Sequence, residues 1–348
     1  MITGSNFKES LNRADLDIKF SEGMQSRVST DYEKLIEVVE SISNSKTEVF
    51  YGDKSDLRRW RGTKKPNQFE EYKMTLTADA WESTREWKVA ELNRQADPQK
   101  FLMTKIMNFG KDVAKTKENE IWKALRLGVS TTGFDRHPLF GPAHVYVNAS
   151  GASNTLVASQ SNVDWGGSQL SVTTIQLDDE HFANVRTDKN NVWGAQLDTV
   201  IVRRGSVNDK AAREISNSQF TVEASTVKGQ MTTNVFNGYF DIIRTDHPLW
   251  GASEWATASL GDNEFKPLKV LSETMNPGFN NPLVLYIGLE DDNTSEGRFW
   301  RGDVAASVEM NWDVNPGYWQ TIKLHGSSGF TYTPADLENQ RLVLPNQF

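Results

Sequence analysis

Residues 97–128 read DPQKFLMTKIMNFGKDVAKTKENEIWKALRLG and contain the longest regular pattern in the chain. Asp97 followed by Pro98 is typical of a helix start, because a carboxylate caps free N–H groups and the fixed φ of proline suits the first helical position. Gly128 indicates the end of the helix. The apolar positions between them keep a 3.6-residue period: Leu102, Ile106, Phe109, Val113, Ile121 and Leu125. The pattern predicts one helix of about 30 residues, ~45 Å long, where roughly 11 to 12 residues is usual.

The opposite face of this predicted helix is cationic. It carries Lys111, Lys115, Lys117, Lys123 and Arg126. We therefore expect an amphipathic helix with one buried face and one charged face.

A long β-hairpin is predicted on the N-terminal side of the helix. Residues 48–51 and 72–76 have strand composition, and Gly52, Gly62 and Pro66 interrupt the polar stretch between them. Residues 54–65, here called the basic prong, contain Asp56 as their one acidic residue. The cations of the prong are Lys54, Arg58, Arg59, Arg61, Lys64 and Lys65. Residues 81–95 show a mixed pattern that we interpret as a strand.

The N-terminal segment has few apolar residues. Residues 1–29 contain only scattered ones, at Leu11, Leu16, Ile18 and Phe20, which predicts a mobile arm. Thr30 and Glu33 have capping-box spacing. Leu35, Val38, Val39 and Ile42 then recur every three or four residues, which predicts a short amphipathic helix.

The chain beyond Gly128 mixes helical and strand patterns, so the predicted fold class is α+β. Helices are predicted at 171–185 and 207–215, with Ser206 as a cap. Strands are predicted at 197–203, 238–244, 282–289, 303–312 and 317–324. Two similar turns are expected at 135–141 (DRHPLFG) and 245–251 (TDHPLWG).

Composition excludes several classes of chemistry. The 348 residues carry a net charge of −8 and contain no cysteine, which excludes disulfides, thiolate nucleophiles and thiolate-bound metals. No export signal and no apolar stretch of the ~20 residues needed to cross a bilayer is visible, so we expect no membrane contact.

The sequence offers no recognisable catalytic or ligand motif. Nucleotide-binding glycine motifs are absent, and the acidic stretch 290–297 departs from a calcium loop. The five histidines are interpreted as ordinary turn or surface residues. We therefore expect no enzyme activity, no catalytic residue, no cofactor and no metal. A hairpin this poor in apolar residues is not stable alone, so we expect it to lie on another copy of the chain.

The order of these parts resembles the major capsid proteins of tailed bacteriophages with the Hong Kong-97-type fold, and is most similar to the Mu-like major head subunit family. Four segments carry the resemblance. They are the turn 134–137 (FDRH), the strand and helix from 197–202 to 216–218, the segment 234–243 (NVFNGYFDII), and the strand 254–260 (EWATASL). One departure is Gln95-Ala96-Asp97, where an Asp-Asp pair is expected before the long helix.

The resemblance implies a division of the chain into the parts of that fold. They are an N-terminal arm (1–45), an extended β-hairpin E-loop (46–95), a peripheral domain with the long spine helix (96–170), a mixed α/β axial domain (171–295), peripheral return strands (296–335) and a C-terminal tail (336–348). The implied function is a major capsid protein that assembles into an icosahedral shell around double-stranded DNA. The implied location is the virion capsid, assembled in the host cytoplasm.

The same resemblance implies contacts for particular residues. Between subunits, we expect the prong residues Arg58, Arg59, Arg61, Lys64 and Lys65 to meet an acidic turn such as Glu290, Asp291 and Asp292. The arm helix is expected to contact a neighbour through Leu35, Val38 and Ile42. Residues expected to face DNA are Lys111, Lys115 and Lys123.

The implied partners are other copies of the chain in pentamers and hexamers, portal and decoration proteins, and packaged DNA held without sequence specificity. No long helical segment precedes the arm, so we expect a separate scaffold protein, or none, and not a fused one.

Two alternatives stay open at the level of sequence. One is an encapsulin-like compartment shell, which would need an interior pocket for a cargo peptide. The other is a hydrolase or carbohydrate-binding enzyme whose tryptophans and carboxylates line a cleft.

Overall fold

The fold is described from a computed structural model. It covers residues 13–26, 30–51, 71–92, 94–146, 157–222, 231–261, 264–274, 283–288 and 303–326. Within these ranges, no helix combines the length and apolarity required to cross a bilayer.

Five α-helices lie in the described ranges. They are α1 (Arg13–Ser26), α2 (Val89–Leu92), α3 (Pro98–Leu127), α4 (Val172–Asn184) and α5 (Val207–Asn217). The helices predicted at 171–185 and 207–215 are confirmed as α4 and α5. Ser171 and Ser206 cap their first turns, each accepting a backbone N–H three residues on.

Helix α3 is the long helix predicted from the sequence. The carboxylate of Asp97 accepts the N–H of Lys100 at 3.0 Å, and Pro98 occupies the first turn. Gly128 ends the helix with an ordinary right-handed φ of −54°. A larger residue would be crowded there, because a Cβ would lie 2.9 Å from the carbonyl oxygen of Leu125 and 2.9 Å from Leu139 Cδ2.

The prediction of a mobile arm is wrong for residues 13–26. These residues form α1, which packs along α3 and buries Leu16 and Phe20 almost completely. Gly23 and Gly110 lie at the crossing, where each glycine meets the backbone of the other helix. Two apolar side chains are enough here because the missing Cβ atoms let the helices approach closely.

The described strands number fourteen. They are β1 (Ile36–Ser41), β2 (Ser45–Tyr51), β3 (Glu71–Thr77), β4 (Asp79–Lys88), β5 (Val163–Asp164), β6 (Thr199–Arg203), β7 (Phe220–Val222), β8 (Met231–Thr233), β9 (Asp241–Thr245), β10 (Trp255–Ala258), β11 (Leu268–Glu273), β12 (Leu283–Gly288), β13 (Asp303–Pro316) and β14 (Ile322–His325). Strands β2 and β3 form the predicted hairpin stem, and β7 pairs only with β8 among them.

Two predicted strands differ at their starts. Residues 238–240 precede β9, because Gly238 adopts a left-handed φ of +68° that suits a turn. Residues 319–321 form a 3₁₀ turn, so the last strand begins at Ile322.

The first five-stranded sheet is built around β13. Its path runs β1-β11-β13-β12, and β4 also pairs with β13. Strand β4 runs antiparallel along Asp303–Trp312, with Trp81 opposite Met310. Strand β11 runs antiparallel along Trp312–Pro316. The strand prediction for residues 81–95 is thus confirmed as far as Lys88.

The helix predicted between Thr30 and Ile42 is wrong. Residues Thr30–Leu35 form a 3₁₀ turn, and β1 then pairs in parallel with β11, placing Ile36 beside Leu268. A short run of β-branched residues is compatible with either a helix or a strand, and the partner from the far end of the chain decides the outcome.

The second five-stranded sheet has the order β5-β14-β10-β6-β9 and packs against helices α4 and α5. The main apolar core contains the buried face of α3, including Leu102, Phe109 and Leu125, and joins it to both sheets. The long helix therefore fixes one sheet relative to the other.

Candidate assembly surfaces

The hairpin stem is anchored to the body by stacked aromatic rings. Phe50 and Tyr72 lie directly opposite each other in the β2–β3 ladder and are both buried. The ring of Phe50 stacks on Phe134 with centroids 4.7 Å apart and lies 5.2 Å from the ring of Tyr318. Such pairs add about 0.5–1.5 kcal/mol beyond their buried area. The stem therefore leaves the body at a fixed place.

A buried lysine also holds the base of the stem. Lys269 on β11 is 3% exposed, and its Nζ lies 2.7 Å from Glu37 on β1 and 3.9 Å from Glu48 on β2. The same ammonium sits 5.0 Å above the ring of Phe50. Burial, with the charges of Glu37 and Glu48, raises the pKa of Tyr318, whose neutral hydroxyl accepts the N–H of Tyr51.

The predicted charged contacts between subunits lie outside the described residues. These are the prong residues Arg58, Arg59, Arg61, Lys64 and Lys65, and the acidic turn Glu290, Asp291 and Asp292. The stem strands end at Tyr51 and Glu71, so residues 52–70 connect them. Contact between prong and turn stays a prediction.

The residues predicted as arm contacts occupy three different environments. Leu35 is fully buried in the core of its own chain, and Val38 is partly buried against that core. Ile42 is 71% exposed in the bend after β1. Of the three, only Ile42 leaves most of its side chain exposed, and its contact with a neighbour stays a prediction.

The cationic face predicted for α3 is mostly neutralised within the chain. Lys115 pairs with Glu118 at 3.0 Å, and Lys123 pairs with Glu120 at 2.9 Å. Lys117 is buried, and burial lowers its pKa to about 8. Two of the three lysines predicted to face DNA, Lys115 and Lys123, are therefore already paired with a carboxylate of the same helix.

Arg126 was also predicted on that face, but it is completely buried. Its guanidinium makes a two-pronged contact with Glu254, with Nε to Oε2 at 3.0 Å and Nη2 to Oε1 at 2.7 Å. The N–H of Gly251 donates to the same carboxylate at 2.9 Å. Paired geometry of this kind compensates the loss of water that a buried charge suffers. The contact ties the end of α3 to the start of β10.

A second buried network joins α4 to β14. His325 lies between Asp178, 2.7 Å from its Nε2, and Asp164, 3.2 Å from its Nδ1. Lys323 reaches the other oxygen of Asp178 at 2.7 Å. Burial alone would raise the pKa of Asp178, but hydrogen bonding and charge from His325 and Lys323 outweigh it and hold that pKa below its usual range.

A third network surrounds His144. Its Nδ1 is 2.6 Å from Asp135, its Nε2 is 3.0 Å from Asn162, and its ring stacks on Trp319 at 4.2 Å. With its amide N–H groups, Asn162 donates to the carbonyls of Leu139, Trp319 and Ile322. Among the described residues no cluster of three or more His, Asp or Glu side chains could hold a metal ion. The hydrogen bonds of His144 and Asn162 hold the surrounding loops together.

The interpretation of the histidines as turn or surface residues is therefore wrong for His144 and His325, which are buried parts of these networks. His247 is buried as well, but it does sit in a turn. The two predicted turns are stabilised by the same kind of hydrogen bond. Asp135 accepts the N–H of His137, and Thr245 accepts the N–H of His247, each through a side-chain oxygen two residues back.

Strand β4 presents a long exposed edge. Its ten residues pair only with β13 among the described strands, and all but Trp81 and Trp87 are exposed. Trp81 stacks on Trp312 at 5.2 Å and donates its Nε1–H to the Trp312 carbonyl, while Arg85 pairs with Asp112 on α3 at 2.9 Å. The sequence pattern predicts this strand but not its free edge, because alternation of side chains does not show which strands pair.

An open cavity of about 190 Å³ lies at one end of this strand. It is lined by Asp79, Trp81, Glu120, Lys123, Ala124, Leu127, Thr131, Leu268, Asp313, Val314, Asn315 and Pro316. Burial raises the pKa of Asp313, and the neighbouring charges of Asp79 and Glu120 raise it further against the opposing effect of Lys123. No sequence motif marks this site, because its lining comes from four separate elements.

Part of the chain matches a known protein family. Residues 10–179 match the family model of the Mu-like prophage major head subunit gpT. No curated protein matches the chain. The family match covers the sequence of the predicted hairpin, α3 and the residues into α4, slightly less than half of the chain.

Several solved structures are similar to this chain at low sequence identity. The subunit of the bacteriophage JBD30 procapsid is 13% identical, with a TM-score of 0.51, over 97% of this chain and 80% of that chain. The cyanophage P-SCSP1u capsid is 10% identical with a TM-score of 0.49, over 87% of this chain and 90% of that one. A virus-like particle from Pyrococcus furiosus is 11% identical with a TM-score of 0.47, over 90% and 98%. The JBD30 likeness establishes the Hong Kong-97-type fold for this chain.

Proposed function

We propose that this chain, a phage major capsid protein most similar to the Mu-like head subunits, closes its icosahedral shell by laying the basic prong of each copy on a neighbour. The copies form pentamers and hexamers, the basic prong belongs to the E-loop, and the shell takes up double-stranded DNA. A separate scaffold, a portal and decoration proteins complete the set of partners.

The observation that carries the proposal is the anchored stem. Phe50, Tyr72 and Lys269 hold its base in a fixed position. The loss of conformational entropy when the prong docks on a neighbour is therefore smaller than for an unanchored segment. The segment beyond the stem has six cations and one carboxylate between Lys54 and Lys65, in a chain that is negative overall. Opposite charge on a neighbouring copy would fix the register of the two subunits.

Contact with DNA is proposed to be weak and general. Lys115 and Lys123 are neutralised by carboxylates on their own helix, which leaves Lys111 as the predicted DNA-facing lysine that forms no ion pair within the described residues. Few released counterions would give a shallow dependence of DNA binding on salt. The structure-forming contacts of the shell would then lie between proteins.

Charge reversal in the prong tests the proposed function. Arg58→Glu, Arg59→Glu and Arg61→Glu together should leave a folded subunit that no longer closes shells, because the attraction to an acidic neighbour becomes repulsion. Negative-stain microscopy and sedimentation velocity measure the yield of closed particles, and circular dichroism verifies the fold.

The matched control is the same triple substitution to lysine, which keeps the charge and changes the side-chain shape. We expect it to retain most of the particle yield. Normal particles from the glutamate variant would refute the role of the prong, and a wild-type chain that stays monomeric at every salt concentration would refute shell assembly itself.

A further inference from the structure

The cavity beside β4 lies where that strand ends on β13. Strand β4 pairs with one edge of β13 from Asp303 to Trp312, whereas β12 and β11 pair with the opposite edge, β11 from Trp312 to Pro316. Beyond the end of β4, side chains of α3 and of residues 313–316 line the opening. We call this opening the seam cavity.

The seam cavity has an excess of negative charge. Asp79, Glu120 and Asp313 line it together with one cation, Lys123. Lys123 already pairs with Glu120 at 2.9 Å. Within the described part of the chain, neither Asp79 nor Asp313 forms an ion pair, and Asp313 accepts the N–H of Val314 at 2.7 Å.

The energetic cost of this arrangement is visible at Asp313. Burial first, and then repulsion from Asp79 and Glu120, raise its pKa against the opposing effects of the Val314 N–H and of Lys123. A carboxylate in this state is stabilised by any cation that enters the cavity. The net negative charge of the lining and the existence of an open cavity are separate observations. Both point to a cationic occupant.

The size and walls of the seam cavity fit one long side chain. Its volume of about 190 Å³ lies below the ~300–1,000 Å³ typical of small-molecule sites. Trp81, Leu127, Val314 and Pro316 offer apolar surface for the methylene stem of lysine or arginine, while the carboxylates meet the charged end.

We infer that the seam cavity receives a lysine or arginine side chain from the basic prong of a second copy of this chain. The inference rests on the proposed function and specifies the surface on which the prong docks. The prong is the matching occupant because its cations stand in a run with a single carboxylate, Asp56. The exposed edge of β4 ends at the cavity, where Asp79 and Trp81 form part of the lining. An extended segment could pair with this edge as an added strand and so reach the cavity.

Zero-length cross-linking of wild-type shells tests the inference directly. Shells are assembled from an equal mixture of ¹⁴N and ¹⁵N subunits and treated with a carbodiimide, which joins a carboxylate to a lysine amine in direct contact. We expect mixed-isotope peptides that link Asp79 or Asp313 to Lys54, Lys64 or Lys65. Closed shells whose prong lysines link only within one chain, or to the 290–292 turn of a neighbour, would overturn the inference.

Neutral variants provide the second test. Asp79→Asn with Asp313→Asn should raise the subunit concentration needed for half-maximal assembly by about tenfold, as expected for loss of a charge contact at an interface. The melting temperature of the unassembled subunit should not fall, because the change removes repulsion within the chain. A purely structural role would lower that temperature instead.

The matched control neutralises two exposed carboxylates elsewhere, Glu214→Gln with Asp246→Asn, and should assemble as the wild type does. Equal assembly of the cavity variant and this control would overturn the inference while leaving shell formation intact. Failure of the wild type to form shells is a different result, since it removes the proposed function as well.

Discussion

The two ends of helix α3 are held by opposite kinds of contact. At the N-terminal half, α1 packs through Leu16 and Phe20, and Phe20 meets Phe109 with ring centroids 5.8 Å apart. At the C-terminal end, Arg126 and Glu254 form a fully buried ion pair. The first contact is apolar and depends on shape, whereas the second depends on charge.

The two kinds of contact should respond differently to substitution and to pH. Apolar packing loses a few kcal/mol at most when a side chain is trimmed or enlarged, and it is insensitive to pH. A buried charge is costly as soon as its partner is missing. The C-terminal end of α3 should therefore be the sensitive end, both to substitution and to protonation.

Loss of the buried ion pair should have the largest effect. Arg126→Met leaves Glu254 buried without its cation, and should lower the free energy of unfolding of the unassembled subunit by about 3–5 kcal/mol. Denaturant titration measures the change. Arg126→Met with Glu254→Leu should recover most of the loss, because both charges are then gone. Single and double variants with equal stability losses would contradict this account.

Acid should weaken the C-terminal end next. Burial, helped by the charges of Lys115 and Lys123, lowers the pKa of His247 from 6.5 to about 4. The unfolded chain then binds more protons between pH 6.5 and pH 4, so the free energy of unfolding falls as the pH drops through this window. The expected loss is up to about 1.4 kcal/mol per pH unit from this group.

His247→Asn keeps an acceptor near the position of Nδ1, to which the N–H of Leu249 donates. It should flatten the pH dependence of stability between pH 6.5 and pH 4, as measured by urea unfolding at several pH values. An unchanged slope would show that His247 is not the responsible group. His181, whose pKa burial also lowers to about 4, would account for the remaining slope.

The smallest effect is expected at the apolar end. Gly110→Val places a branched side chain against the backbone of α1, and overpacking of this kind costs about 1–3 kcal/mol. Hydrogen exchange should show faster exchange in 13–26 with little change in β10 or β14. Asn108→Val, at an exposed position of the same helix, is the control for introducing a β-branched residue into α3, because valine and asparagine have similar helix propensities. Equal effects of the two variants would mean that the close approach carries no energy.

Elements with strong local signals could be predicted from the sequence. Helix α3 begins at Pro98 and ends at Leu127 as its caps and period indicate, and the stem strands pair as their composition suggests. The two serine-capped helices are confirmed for the same reason. In each case the information lies within a few residues, where hydrogen bonding and side-chain direction are local.

Elements whose conformation depends on distant partners could not be predicted. The periodicity of 35–42 suited a helix, yet pairing with β11 makes residues 36–41 a strand. The seam cavity collects Asp79, Glu120 and Asp313 from parts of the chain that share no pattern. Five cations on one predicted helix face could not be divided into paired, buried and exposed ones without knowing what packs there.

The amino-acid sequence by itself determined the long capped helix, the hairpin with its basic prong, and the absence of thiol chemistry, because each follows from the identity of neighbouring residues. Tertiary structure alone decided that α1 packs on α3, that Arg126 is buried against Glu254, and that a negative cavity opens beside β4. The physical reason is that burial and charge compensation are properties of contacts between distant segments, and sequence spacing does not record which segments meet.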